Sequence, residues 1–409
     1  MKKKELLKMN SVKSNIIFNV LATATNTFLQ LIILVILSKY VGTSSVGLLT
    51  LGLAITAPIL LFSRFNLRSA YSSDYKSEYS FNQYFTLRLV STIIYIFISI
   101  ILIQTFDLNS YEEIFIILIV FWKGFESISD IIYAHFQKIN SMRIIFFINL
   151  WKVSLSIIGF IIFISIFQNV IYSFLFLTII HGIFIILELK KVQILLEQKI
   201  KFEFNFKYLL ILTVPLGIAH FLTSMNVNIP RYILQYLSNT EQLGVYGSLF
   251  YLITAGSYII ISINNAVLPE QAKKRYKWNF NEVYKIKKKL DIIIFIIMIP
   301  TILVSLFFGD IIIEIIFNKE IASYKLELIV VTLIGLIKYL NINIDNIFLT
   351  YQMYIVQLKL NIVYLVIVTI LSIIFISHLN ILGAILAVLV AEIIIYFSKY
   401  ILIIKKRGE

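Results

Sequence analysis

Apolar residues run in stretches of about 20 along almost the whole chain, separated by short polar connections. A helix of that length crosses roughly 30 Å of hydrocarbon. The pattern predicts twelve spans, at roughly 15–38, 46–64, 84–105, 114–136, 144–167, 169–189, 207–229, 243–268, 290–309, 326–349, 358–377 and 381–402. Continuous runs exclude a β-barrel, whose strands alternate residue by residue. The expected fold class is an all-α integral membrane protein of about 12 transmembrane helices. No connection exceeds about 20 residues, so no soluble domain is expected.

One span breaks the apolar rule. IVFWKGFESISDIIYAHFQK (Ile119–Lys138) carries Lys123, Glu126, Ser127, Asp130 and Gln137. At 100° per residue these five fall within roughly 100° of arc, a single helix face. A charge at mid-bilayer costs about 2.5–3.5 kcal/mol even on the lenient insertion scale. The stripe therefore faces protein or a wet cavity.

Composition sharpens this picture. The chain has 409 residues, 59% of them hydrophobic and 14% charged, with no cysteine, so thiol catalysis, thiolate metal sites and disulfides are excluded. The mean hydropathy is +0.91. The net charge of +14 is unevenly placed. With the N-terminus inside, 27 Lys and Arg fall in the tails and connections of one side, and Lys39, Arg231, Lys319 and Lys325 on the other. That asymmetry predicts both termini in the cytoplasm and an even number of spans, and removes any need for a nucleic-acid partner. MKKKELLKMNSVKSN resembles a signal-peptide n-region, but the segment after it is long and lacks a small-residue cleavage site, so it reads as a retained first span. Glu270–Lys289 is basic with interleaved Tyr276, Trp278, Phe280 and Tyr284, and is expected to lie on the inner headgroup layer.

The chain also repeats itself. YVGTSSVG at 40–47 echoes YLSNTEQLG at 236–244, each opening a span. Lys123, Glu126, Asp130 and Gln137 recur as Lys338, Asn341, Asp345 and Gln352 at an offset of 215, both on the fourth span of a six-span half. An even number of spans separates the copies, so they run parallel. Two six-helix lobes, 1–200 and 201–409, related by a pseudo-two-fold along the membrane normal, are expected.

Further polar residues sit within spans: Arg88, Lys152 and Glu392, with Asn264 and Asn265 at the end of the eighth and Arg68 and Arg231 expected just beyond the second and seventh. Two readings stand. These groups pair into buried ion pairs that lock helices, Lys123 with Glu126 being a ready example. Alternatively, Arg68, Arg88, Lys123, Lys152, Arg231 and Lys338 form a cationic cavity for an anionic solute such as a diphosphate, and Glu126, Asp130 and Asp345 exchange ions. Pro58, Pro215, Pro230 and Pro300 permit bends. Glu112 and Glu113 read as a solvated outer-loop pair. No catalytic motif, nucleotide-binding loop or metal-ligand spacing is present, and the four histidines are scattered, so neither enzyme chemistry nor a metal site is expected.

Three segments carry a family resemblance. PLGIAHFLTSMNVNIPRYILQYLSNTEQLGVYGSLFYL (Pro215–Leu252), VGTSSVGLLTLGLAITAPI (Val41–Ile59) followed by NLRSAYSSD (Asn66–Asp74), and KGFESISDIIYAHFQK (Lys123–Lys138) resemble the Wzx-type O-antigen and capsule repeat-unit flippases, the polysaccharide-transporter branch of the MOP exporter superfamily. The resemblance spans roughly residues 10–275, and the remainder agrees in span pattern. It implies a MATE-like V of two lobes in a bacterial cytoplasmic membrane. It also implies movement of undecaprenyl-diphosphate-linked oligosaccharide to the outer leaflet by alternating access coupled to H+ or Na+, without another cofactor. Implied partners are the lipid-linked substrate, the bilayer, and the polysaccharide polymerase and chain-length machinery. Arg68, Lys123, Glu126, Asp130 and Arg231 lie inside the resembling motifs; Arg88, Lys152, Lys338 and Asp345 rest on the physical argument. A drug or cation antiporter of the same superfamily is the alternative among transporters, and a membrane glycan polymerase or ligase the alternative among enzymes. The first should prefer a carboxylate-rich cavity, and the second a large outer loop.

Overall fold

The computed structural model describes residues 12–74, 78–196, 199–276 and 280–408. Among these there is no strand. The helices are α1 (Val12–Tyr40), α2 (Thr43–Arg64), α3 (Leu67–Ser73), α4 (Phe81–Ile103), α5 (Ser110–Lys138), α6 (Met142–Phe167), α7 (Val170–Leu196), α8 (Lys207–Leu237), α9 (Thr240–Tyr276), α10 (Phe280–Ile316), α11 (Lys319–Ala322), α12 (Lys325–Thr350) and α13 (Tyr354–Gly408). Ten helices among the described residues pass a test of length and apolarity for crossing a membrane. α5 fails it because of its charges, and α13 counts once although Asn380, at φ 50° and ψ −126°, breaks it into two. Adding α5 and the second half of α13 restores the expected twelve. The sharp break thus falls at an asparagine, whereas Pro58 and Pro300 stand inside continuous helices.

Several ends differ from expectation for local reasons. Glu112 and Glu113 belong to the first turn of α5 and are not a loop pair. Asn109 caps the Tyr111 and Glu112 amides at 3.0 and 3.1 Å, and Glu112 returns a bond to the Asn109 amide at 3.0 Å, a reciprocal box that satisfies orphan donors. Ser80 and Gln83 do the same for α4. α5 stops where Asn140 turns to φ 55° and the Ser141 amide reaches back to the Phe136 carbonyl. Arg231 lies inside α8, not beyond its end. α9 and α10 run well past the expected spans, so most of the basic segment is helical. Within it Lys287 is buried and paired with Asp291 at 2.6 Å. Lys2, Lys3, Lys4, Lys8, Lys76, Lys277 and Trp278 lie outside the described residues.

The chain forms two compact units. The first comprises residues up to Ile36 together with Leu51–Ser224, and the second Leu37–Thr50 together with Met225–Glu409. In the first, α5 packs against α3, α4, α6 and α7; in the second, α12 packs against α9, α10 and α13. The two helices that carry the repeated polar positions, all four on α5 and three of four on α12, are therefore the central helices of their units. Burying the stripes against four and three neighbours removes charge from lipid.

The segment 37–50 is fastened into the second unit. Lys39 donates to the Ile315 carbonyl at 2.6 Å, Asn318 to the Ser38 carbonyl at 2.9 Å, and the Thr43 hydroxyl to Glu320. Here the glycines of the two echoing motifs meet. A Cβ on Gly47 would lie 1.9 Å from the Thr240 carbonyl oxygen, and one on Gly244 would lie 2.3 Å from the Thr43 carbonyl oxygen. Each glycine faces the carbonyl four residues before the other, the reciprocal contact that a local two-fold demands. Small residues allow this backbone approach, as in membrane helix pairs generally.

A polar strap closes one end of the first unit. Glu203 accepts from Ser80 Oγ at 2.6 Å and Asn82 Nδ2 at 2.8 Å, while its amide donates to Thr86 Oγ1 at 2.9 Å. Gln83 Nε2 donates to the Asn205 carbonyl at 2.7 Å. The hydrogen bonds from Ser80 and then Asn82 hold the Glu203 carboxyl below its ordinary pKa.

Candidate functional site

In the first unit the stripe of α5 meets arginines from α2, α3 and α4. Asp130 is clasped by Arg68 at 3.3 Å on one oxygen and Arg88 at 3.3 Å on the other. Arg68 Nε also donates to Gln137 Oε1 at 2.9 Å. Arg88 is fully buried and donates to Ser127 Oγ at 3.1 Å. One turn away, Lys123 pairs with Glu126 at 3.0 Å and lies 3.9 Å over the Trp122 ring. Trp122 donates to His181 Nε2 at 3.2 Å, which leaves His181 Nδ1–H to donate to the Leu177 carbonyl at 2.9 Å and fixes a neutral ring. Arg64 completes the group. It forms no ion pair among the described residues, yet it acts electrostatically on Glu126 and on Asp130. Four cations, Arg64, Arg68, Arg88 and Lys123, thus face two carboxylates, Glu126 and Asp130, and the cluster carries a net charge of +2.

Lys152 stands apart from this cluster. It pairs with Glu188 at 3.2 Å, with side chains 3% and 0% exposed. The Tyr133 hydroxyl lies 2.6 Å from Glu188, 2.8 Å from Asn149 Oδ1 and 2.9 Å from Lys152 Nζ, and Asn149 donates to the Ala22 carbonyl. The network ties together α1, α5, α6 and α7. Its charges neutralise each other where no solute reaches, so Lys152 serves helix packing in this structure.

In the second unit three of the four repeated polar positions, Lys338, Asn341 and Asp345, lie on α12, while Gln352, at φ 57°, falls in the turn beyond its end at Thr350. Asp345 pairs with Lys399 at 2.7 Å. Asn341 donates to Glu392 at 2.7 Å, and the Tyr364 hydroxyl also bonds Glu392. The carboxylate that α12 lacks at Asn341 is therefore supplied by a neighbouring helix. Lys338 lies within electrostatic reach of Glu392 and Arg231 but forms no ion pair among the described residues. Arg231 donates to Asn228 Oδ1 at 3.0 Å, and its buried Nε has no partner. Asn264 continues into a second network, donating to Asn343 at 2.8 Å, which donates to Asp291 at 2.9 Å.

Sequence reasoning brought Lys123 to Glu126 and found the stripe positions. It missed Arg64, counted only as a connection cation, and missed Glu188 and Lys399, which lie near the ends of expected spans, and Tyr364, an ordinary mid-span tyrosine until tertiary neighbours are known. Tyr133 gives no sequence signal at all.

The helices are those of a multi-pass membrane protein, and their fold is similar to that of solved transporters of the MOP superfamily. The described chain matches the inward-facing conformation of a multidrug resistance MATE family transporter of that superfamily with a TM-score of 0.72 at 12% identity, covering 99% of this chain and 98% of that one. It matches the lipid II flippase MurJ in an inward closed conformation with a TM-score of 0.75 at 18% identity, covering 94% and 86%. No family model matches the sequence. In sequence it is 27% identical over 389 residues to the capsular polysaccharide biosynthesis protein CapF of Staphylococcus aureus, covering 93% of this chain and 96% of that protein. These likenesses bear out the resemblance to the polysaccharide flippases of the MOP superfamily that the motifs carry.

Proposed function

We propose that this protein flips undecaprenyl-diphosphate-linked oligosaccharide repeat units from the inner to the outer leaflet of the bacterial cytoplasmic membrane, for surface polysaccharide synthesis. The observation that carries the reading is a division among the cations of the polar clusters, of which Arg64, Arg231 and Lys338 are half-buried. Arg68 and Arg88 share Asp130, and Lys123, Lys152 and Lys399 each pair with a carboxylate of their own, whereas Arg64, Arg231 and Lys338 have no ion-pair partner among the described residues. Cations left without counterions inside an apolar fold are costly unless a ligand supplies the charge. A diphosphate does so, and the arginine fork meets its oxygens two at a time. The net positive cluster of the first unit disfavours the antiporter of cations. CapF, by its name a capsule biosynthesis protein, supports the polysaccharide substrate class.

The work is transport, not bond chemistry. The polyprenyl tail stays in hydrocarbon, because moving it into water costs about 0.8 kcal/mol per CH₂. An ion gradient biases the cycle, with H+ or Na+ acting at Glu126. Of the three carboxylates in the two stripes, Asp130 is held by two arginines, while Glu126 and Asp345 are each partly exposed and held by a single lysine; the Glu126 pair, at 3.0 Å, is longer than the 2.7 Å pair of Asp345. The ion biases the equilibrium only by its different affinity for the two states. The charge asymmetry of the connections sets both termini in the cytoplasm, and the polymerase and chain-length machinery take over the flipped unit.

The deciding measurement is leaflet accessibility of the lipid-linked repeat unit in vesicles with and without this protein, using wild type, Arg231→Ala and Lys338→Ala at equal membrane levels. Loss of outer-leaflet appearance in both variants is expected. Unimpaired flipping in both overturns the reading.

A further inference from the structure

The second unit contains a cavity of about 280 Å³ between α9, α10 and α12, and its lining is unusual chemically. Leu252, Ile260, Ile297, Met298 and Val331 supply carbon. Four hydroxyls also line it, but each donates its proton to a backbone carbonyl: Thr301 to Ile297 at 2.8 Å, Ser305 to Ile302 at 2.8 Å, Thr332 to Ile329 at 2.7 Å and Tyr339 to Ile253 at 2.8 Å. A hydroxyl has one proton to give, so no hydroxyl donor is left for water or sugar. A buried water needs two to four polar partners, and an apolar cavity of about 150 Å³ stays dry and takes benzene. This space is nearly twice as large, half open, and lined mostly by carbon, a shape and chemistry that suit a hydrocarbon chain.

Its mouth opens on an apolar surface. Ile259, Ile297 and Val304 belong to the lining and are 62%, 45% and 43% exposed. Exposed isoleucines and phenylalanines continue along α10 on that face, which in a multi-pass protein meets lipid tails. Gly256 keeps the wall thin at one point, since a Cβ there would lie 2.1 Å from the Tyr339 hydroxyl.

We propose that this cavity binds the polyprenyl tail of the transported lipid, next to its diphosphate. The proposal rests on the reading under Proposed function and names where the tail goes. Lys338 lies two turns beyond the lining residue Val331 on α12, and residues seven apart share one helix face, so the unpaired cation flanks the cavity wall. Lys338 is 13 residues from the start of α12, about 20 Å along the axis at 1.5 Å per residue, which is deep in the bilayer. The phosphate of a resident phospholipid stays at the interface. The headgroup that passes mid-membrane is that of the transported lipid, and only its tail enters the cavity while its phosphates sit at Lys338 and Arg231.

The test uses the full-length protein in proteoliposomes and two photoreactive probes, a short-chain polyprenyl diphosphate and a phosphatidylglycerol, each with a diazirine at the chain end. Labelled peptides are mapped by mass spectrometry in wild type and in the cavity-filling variants Thr332→Leu and Ser305→Leu, two positions so that one misfolded variant leaves the other. The expected result is prenyl labelling of residues 252–260 and 297–304, reduced at least fivefold by filling and by excess unlabelled polyprenyl diphosphate, with the phosphatidylglycerol probe labelling these peptides at least fivefold less. Equal labelling by phosphatidylglycerol, or prenyl labelling insensitive to filling, overturns the proposal. Flipping measured in the same vesicles separates the two claims. Intact flipping with no prenyl label in the cavity removes the tail site alone, and specific prenyl label without flipping upholds the site and removes the transport reading.

Discussion

The Lys152–Glu188 pair offers the most discriminating perturbation, because the sequence offered Lys152 as a substrate cation and the structure surrounds it with helix-packing partners. At 3.2 Å and an effective dielectric near 20, the attraction is about 5 kcal/mol. Desolvating each ion costs several kcal/mol, so the intact pair contributes little net stability. Breaking it is different. Lys152→Met leaves Glu188, which is 0% exposed, as a bare charge, and Glu188→Gln leaves Lys152 likewise. Each single change should cost about 3–5 kcal/mol, roughly 6–20 °C at 2–4 °C per kcal/mol. The double variant Lys152→Met with Glu188→Gln removes both charges while the introduced amide can still bond Tyr133, so it should lose less than either single. The assay is retention of the monodisperse peak after heating in detergent, with repeat-unit flipping measured on the same preparations. Strong coupling with flipping restored in the double variant is expected. Additive losses, or singles within about 1 kcal/mol of wild type, would refute the buried-pair argument. A stable double variant that cannot flip would return Lys152 to the substrate.

Other outcomes follow from individual contacts. Replacing Arg231 or Lys338 by Ala removes a charged hydrogen bond worth about 1.5–3 kcal/mol, so flipping in vesicles should fall roughly ten- to hundredfold, while heating curves stay near wild type. Gly47→Ala sets a methyl 1.9 Å from the Thr240 carbonyl oxygen, a backbone atom that cannot rotate aside; a loss of about 1–3 kcal/mol is expected in the heating assay, and Gly244→Ala should behave alike. Asn380→Gly should be neutral or stabilising because φ 50° is natural for glycine, whereas Asn380→Val should cost about 1–3 kcal/mol. Glu203 is a carboxylate with a lowered pKa, so its stabilisation of the strap is full above its ordinary value of 4.5 and is lost as pH falls through the lower folded value. Hydrogen exchange at the Glu203 amide should therefore speed up relative to neighbouring amides only below that ordinary value, and the difference should vanish in Glu203→Gln.

The sequence by itself determined the membrane class, the twelve spans and the polar stripes of α5 and α12, because hydrophobic runs, helical periodicity and the sidedness of Lys and Arg are local signals. It also paired Lys123 with Glu126, since residues three apart on a helix are neighbours whatever the fold. It did not tell that most of the segment 270–289 is helical, because amphipathic helices and interfacial loops share one composition. The tertiary structure alone decided which charges are neutralised. Asp130 meets Arg68 and Arg88 over separations of 62 and 42 residues, and Glu188 meets Lys152 over 36. Asn341, which lacks the carboxyl of Glu126, borrows one from Glu392 across 51 residues. No residue pattern encodes such distances. The echo of Gly47 and Gly244 was visible as a repeat, but that the two glycines face each other's carbonyls depends on the packing of α2 and α9. Charge in a low-dielectric interior takes its meaning from what lies within about 4 Å, and in a helical membrane protein those neighbours arrive from other spans.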